Sequence, residues 1–126
     1  MQQSQIEITN KKKRTRLIVK NGHENIVLCI MDVALLFIDK RAVFVIDHEA
    51  KKHQFNKSLS EIEEDLDKNI FFRANRHMIV NINFIKGFTL LECNKLKVNL
   101  TVRFSDPAIF ISQETAPFFK TWLCES

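Results

Sequence analysis

From Leu96 to Phe104 the chain alternates without a fault: Leu96, Val98, Leu100, Val102 and Phe104 fall on one side, Lys97, Asn99, Thr101 and Arg103 on the other. A period of two over that length predicts a half-buried antiparallel strand, and such a strand needs partners. Candidates lie on both sides of it. Phe88–Leu91 precedes it across Cys93-Asn94-Lys95, and Ala108–Ile111 follows it across a Ser105-Asp106-Pro107 turn. Upstream, Leu17–Lys20 and Ile26–Leu28 flank Asn21-Gly22, a pair expected to supply the two positive-φ positions of a tight hairpin. Leu35–Ile38 and Val43–Ile46 flank Lys40-Arg41-Ala42, which predicts a second hairpin with a basic tip, and Gln54-Phe55 closes another short strand. Between them, Ile30–Phe37 is apolar apart from Asp32, and periodicity does not separate a buried strand from a helical turn there.

Two helices complete the expectation. Ser58-Leu59-Ser60-Glu61 is a capping-box pattern, with Leu59, Ile62 and Leu66 at helical spacing behind it, so a helix is predicted over about residues 59–67. Its carboxylates (Glu61, Glu63, Glu64, Asp65, Asp67) are read as a solvated helix face rather than a metal or acid–base cluster. Ser112 is placed to cap a second helix running to about Leu123, with Pro117 forcing the regular part to start near it. The predicted class is therefore mainly β: short antiparallel sheets with two short helices. One domain is expected over residues 16–126, behind a polar and basic leader over residues 1–15.

Composition narrows the chemistry. Two glycines rule out a phosphate cradle built on several of them. Four His and three Cys are present, yet no HExxH, GxSxG or Walker pattern surrounds any catalytic candidate, so no enzyme, metal site or cofactor is expected. Cys29, Cys93 and Cys124 are odd in number and widely spaced, which suits reduced thiols better than a disulfide framework. The longest apolar stretch, Ile26–Ile38, is broken by Asp32 and falls short of the roughly 20 residues of a membrane span. A soluble, cytoplasmic protein with no membrane partner is expected. Net charge is +4, with 19 Lys and Arg against 15 Asp and Glu, and it is concentrated at the start: Lys11, Lys12, Lys13, Arg14, Arg16 and Lys20 face Glu7 alone. That balance permits nucleic-acid binding without demanding it.

Residues 71–81 read Phe71-Phe72-Arg73-Ala74-Asn75-Arg76-His77-Met78-Ile79-Val80-Asn81. The capped acidic helix before them, the Arg-x-x-Arg spacing and the closing Ile-Val-Asn together resemble the LytTR family of bacterial DNA-binding domains. Ile111-Ser112 followed by Phe119-Lys120-x-Trp122-Leu123 matches that family's C-terminal strand and helix, so the resemblance covers roughly residues 16–123. It implies an elongated β fold in which loops, with no recognition helix, enter successive grooves of promoter DNA. It also implies a sequence-specific transcription regulator of a two-component system, a homodimer on repeated half-sites, and a receiver domain or sensor kinase as signalling partner. The alternative is a protein-interaction module that has lost DNA binding, motivated by Gln113 and the near-neutral body behind the leader.

Carried over by position, Asn75-Arg76 stands at the family's His-Arg contact pair, Lys40 and Arg41 in a groove-reaching loop, and Ser112-Gln113 where Ser-Arg is usual. Arg can bind guanine O6 and N7 bidentately, and Asn or Gln can do the same for adenine. Each has a plainer reading. Arg76 could bridge to an acid of the neighbouring helix, Asn75 could serve a turn, and Lys40-Arg41 could be a solvated turn. His77 replaces a small hydroxyl residue of the family. Arg73 is assigned a structural or phosphate role. Lys11, Lys12, Lys13, Arg14 and Arg16 are either a solvated linker or an arm over the phosphate backbone. The aromatic Phe71, Phe72, Phe118, Phe119 and Trp122 are expected in the core.

Overall fold

A computed structural model describes residues 13–104 and 106–125. Lys11, Lys12 and Ser105 lie outside the described residues.

The Asn-Gly hairpin forms one residue later than expected. β1 (Arg16–Asn21) and β2 (Glu24–Cys29) pair from Arg16–Cys29 to Asn21–Glu24, so the turn is Gly22-His23 and Asn21 stays in the strand. Of these residues only Gly22 has a positive φ, 64°. Register here follows burial: Leu17, Val19 and Leu28 must face inward, and a slip of one residue would expose them. The ambiguous apolar run resolves as both readings, a 3₁₀ turn at Ile30–Asp32 and then β3 (Val33–Asp39). All of Val33–Phe37 is buried, as in a strand covered on both faces. β4 (Ala42–Asp47), β5 (Lys52–Phe55), α1 (Leu59–Asp65), β6 (Phe71–Asn75) and β7 (Met78–Asn81) follow. Together the strands make a seven-stranded antiparallel sheet in the order β2-β1-β5-β4-β3-β7-β6.

A second sheet of three strands, ordered β10-β9-β8, is built from β8 (Ile85–Leu90), β9 (Leu96–Leu100) and β10 (Ile109–Ile111). The alternating run thus ends as a strand at Leu100, short of the predicted Phe104. Its ladder runs out there, because β8 begins at Ile85, the partner of Leu100, and β10 reaches only Val98. The inward side of the alternation nevertheless persists: Val102 and Phe104 pack into the core, and the Phe104 ring centroid lies 5.6 Å from that of Phe37. The pattern recorded burial beyond the last residue of the strand. α2 (Ala116–Glu125) closes the chain.

The large sheet separates two cores. Leu36, Val45 and Ile79 face β1, β2 and α1, whereas Leu35, Phe37, Ile46 and Val80 face the small sheet and α2. Phe119 is fully buried at the second core, with its ring 5.4 Å from Phe72 and 5.9 Å from both Phe88 and Trp122. Phe118, expected in the core, is instead 71% exposed, since on this helix only one of two consecutive aromatics can face the sheet. α1 carries the full capping box, Ser58 accepting from the Glu61 amide and Glu61 from that of Ser58.

Buried polar groups are bonded. Asn81 donates to the Val33 carbonyl at 2.8 Å and accepts from the Asn83 amide. Asp47 accepts from the Glu49 and Lys51 amides through one oxygen, and its other oxygen lies 2.8 Å from His53 Nε2. Burial alone would raise the Asp47 carboxyl, but the His53 bond and the two amides outweigh it and hold it below its ordinary 3.8. A depressed folded value stabilises above the unfolded pKa, and that contribution is lost as pH falls through 3.8 toward the folded value. Asp47→Asn should therefore be less stable than wild type at neutral pH. In urea titrations across pH the gap between the two should narrow below about pH 4.

Candidate nucleic-acid interface

Register brings the expected contact turns to one end of the molecule. In the β3–β7 pairing Phe37 stands opposite Met78, and the Ile38 amide donates to the His77 carbonyl at 2.9 Å. The Lys40-Arg41 turn begins three residues past Phe37 and the Arg76-His77 turn ends at Met78, so the two tips share one end of the large sheet. The third turn is tied to them by Asn75, whose amide nitrogen donates to the Phe110 carbonyl at 2.8 Å, two residues before Ser112. Lys40, Arg41, Arg76, His77, Ser112 and Gln113 are all exposed there.

Each turn has its own local cause. Asp39 pairs with Ala42, leaving Lys40 (φ 51°) and Arg41 (φ 70°) as a two-residue turn with both residues left-handed, the backbone pattern of a type I′ hairpin. Glycine or asparagine adopts this at least cost, so two long cations here are strained. The Arg76-His77 turn is shaped by its neighbours. A bulge lies between Arg73 and Asn75. Arg73 Nε donates to the Asn75 carbonyl at 2.9 Å, one terminal nitrogen to the Arg76 carbonyl at 2.6 Å, and the other to Glu63 Oε1 at 2.7 Å. Asn75 Oδ1 accepts from the His77 amide at 2.8 Å. In the third turn Ser112 Oγ accepts from the Thr115 amide at 3.3 Å, so Ser112 caps a turn just before α2 rather than the helix itself. Glu114 is exposed beside Gln113, which makes this the least cationic of the three.

These contacts sort the predicted residues. The bridge to an acid of α1 is made by Arg73, whereas Arg76 makes no ion pair among the described residues. Arg73 is therefore engaged within the protein, as an internal clamp on Glu63 and two backbone carbonyls. The Asn75 carboxamide, expected at a base, is engaged at both ends within the protein, through one amide hydrogen and one lone pair of its oxygen. In the leader, Arg14 is likewise docked: its guanidinium holds Asp65 at 2.8 Å, and its amide donates to the Asp65 carbonyl at 2.9 Å. Lys13 and Arg16 are exposed. The acidic face of α1 is thus only partly solvated, because Glu63 and Asp65 each hold an arginine. Sequence reading missed both pairs, and the signal was available only as charge: an acidic helix between two basic segments.

The arrangement offers hydrogen-bond donors and positive charge along one end, with exposed side chains on short turns. Among the described residues no His, Cys, Asp and Glu come together as a metal site, and no helix is long and apolar enough to cross a membrane.

Comparison with known proteins points the same way. A family model described as the LytTr DNA-binding domain matches residues 23–123. A solved LytTr DNA-binding domain of a response regulator from Bacillus cereus superposes with a TM-score of 0.76 at 24% identity, covering 87% of this chain and 97% of that one. That likeness is one of fold. No curated protein matches.

The Arg73 clamp is testable. Arg73→Lys keeps the charge but cannot reach three acceptors from one planar group. It should lower stability to urea by about 1–2 kcal/mol, close to the loss in Arg73→Ala. Recovery of wild-type stability in the lysine variant would reduce the clamp to a simple charge effect.

Proposed function

The chain belongs to the LytTR family of DNA-binding domains, and from that premise we propose that it is a sequence-specific regulator of transcription that inserts turn side chains into the grooves of double-stranded promoter DNA. The observation carrying this reading is the exposure, at one end of the sheet, of the Lys40-Arg41 and Arg76-His77 tips with the Ser112-Gln113 turn tied beside them. Binding is by placement and charge, with no reaction and no cofactor. The protein works in the cytoplasm as a homodimer on repeated half-sites, in a bacterial two-component system with a receiver domain or sensor kinase upstream.

Arg76 is the principal base reader. Its backbone carbonyl is held by Arg73, its guanidinium is exposed with no carboxylate partner among the described residues, and Arg is the commonest specific reader of guanine. Lys40 and Arg41 enter a neighbouring groove or bind its phosphates. Gln113 offers an amide to adenine where an arginine would offer guanine contacts. Asn75 acts chiefly by holding the second and third turns together, with one amide hydrogen left for a base edge. Lys13 and Arg16 contact the phosphate backbone.

Selection of bound sequences from a random duplex pool should yield a defined site. On that site Arg76→Ala should lose about 1–3 kcal/mol of binding and relax discrimination at one base pair, measured by competition gel shift. Binding of no duplex at any salt concentration would favour the protein-interaction module instead.

A further inference from the structure

We infer, resting on the DNA-binding reading above, that the outer face of the β1–β2 ribbon is a second duplex contact: a sugar–phosphate track that leads away from the Lys40-Arg41 turn. A groove of about 590 Å³ runs between that face and the segment joining β5 to α1. Arg14, Arg16, Lys20 and Lys57 line it, and no Asp or Glu does. A second hollow of about 450 Å³ shares residues 54–57 with it and contains Arg41. The two form one path from the hairpin tip across Lys57 to Lys20 and Arg16.

Two observations identify the occupant. The first is uncompensated charge. Arg14 and Arg73 are paired with α1, and Lys51 and Lys52 with Glu49 and Asp39, but Arg16, Lys20, Arg41 and Lys57 make no ion pair among the described residues. Glu61 feels the charge of Lys57, yet its carboxylate is committed to the capping box. The second is the floor. Ile18 and Val27 stand directly opposite each other in the β1–β2 ladder and are 64% and 63% exposed. One aliphatic pair is smaller than the roughly 300–600 Å² of apolar surface typical of a functional patch. It matches the C–H edge of a deoxyribose, with the cations placed for the flanking phosphates and the Gln54, Asn25 and Asn56 amides for hydrogen bonds. A polyanion with apolar sugar between its charges fits both features, and continuity with Arg41 makes that polyanion the same duplex.

The test uses the selected site in duplexes that end just beyond the bases read by the turns, or extend one helical turn further on either flank. Wild type should bind more tightly when one particular flank is extended. Lys20→Ala/Lys57→Ala should lose that gain and keep its base preference, and its slope of log K against log salt should fall by about 1.8, or 0.9 for each phosphate contact removed. Equal binding of all duplexes by wild type, or an unchanged salt slope in the double variant, would overturn the track. Arg76→Ala separates the two readings: if it weakens binding while the double variant does not, only the track fails. If no duplex is bound at all, the track fails together with the reading it rests on.

Discussion

The seven residues of α1 link segments far apart in the chain, because the residue leading into β1 and a residue of β6 are both fastened to them. Leu59 and Ile62 of the helix, with Leu66 just after it, are buried in the core between β1–β2 and the central strands, each contributing about 1.5–3 kcal/mol of burial. Arg14, just ahead of β1, holds Asp65, while Arg73 in β6 holds Glu63. Both pairs are partly solvated, so each adds at most about 1 kcal/mol. Burial therefore supplies the stability, and the ion pairs supply orientation. Through Arg73 that orientation reaches the carbonyls of Asn75 and Arg76, and through Asn75 it reaches Phe110 and the turn after it. An isolated helix this short would not persist in water. Its acidic composition, which looked like mere solvation, is what lets it grip two arginines.

Much of the architecture was legible because it follows from burial. The hairpins, the capped helix and the two-helix count all appear in the spacing of apolar residues and in Ser58-x-x-Glu61. The failures share a cause. Asn21-Gly22 signals a turn, but the requirement that Leu17, Val19 and Leu28 face one way moved the turn to Gly22-His23. Alternation through Phe104 signals an inward face, and that face is real, but whether a strand continues depends on partner length, which no local pattern contains. Phe118 and Phe119 are chemically identical, and only helix phase buries one of them.

The site was less legible because it is decided by pairings distant in sequence. The bridge to the acidic helix was a plainer reading of Arg76, and the structure gives it to Arg73. The bulge between Arg73 and Asn75 turns Arg73 toward Glu63 and leaves Arg76 at the tip. Asn75 illustrates the same point: its carboxamide suits a base edge or a turn equally, and the approach of Phe110 across 35 residues commits its nitrogen to the protein. Motif matching named Arg76 for a base and Arg73 for a structural or phosphate role, and the packing adds the partners that Arg73 and Asn75 hold.

Cations in this protein are thus sorted by whether an acid answers them. Those beside α1, Arg14 and Arg73, are compensated and build the fold. Those at Lys40-Arg41 and at Arg76 have no such acid among the described residues, and the first pair occupies left-handed backbone where smaller residues would sit at lower cost. Strain of that kind survives only where the surrounding strands impose it, and here Asp39–Ala42 pairing at the end of two buried strands does so. A net charge of +4 says little about nucleic-acid binding. Unanswered cations held on rigid turns, next to answered ones held in the frame, say considerably more, because only the former have charge left to neutralise a phosphate or hydrogen bonds left to read a base.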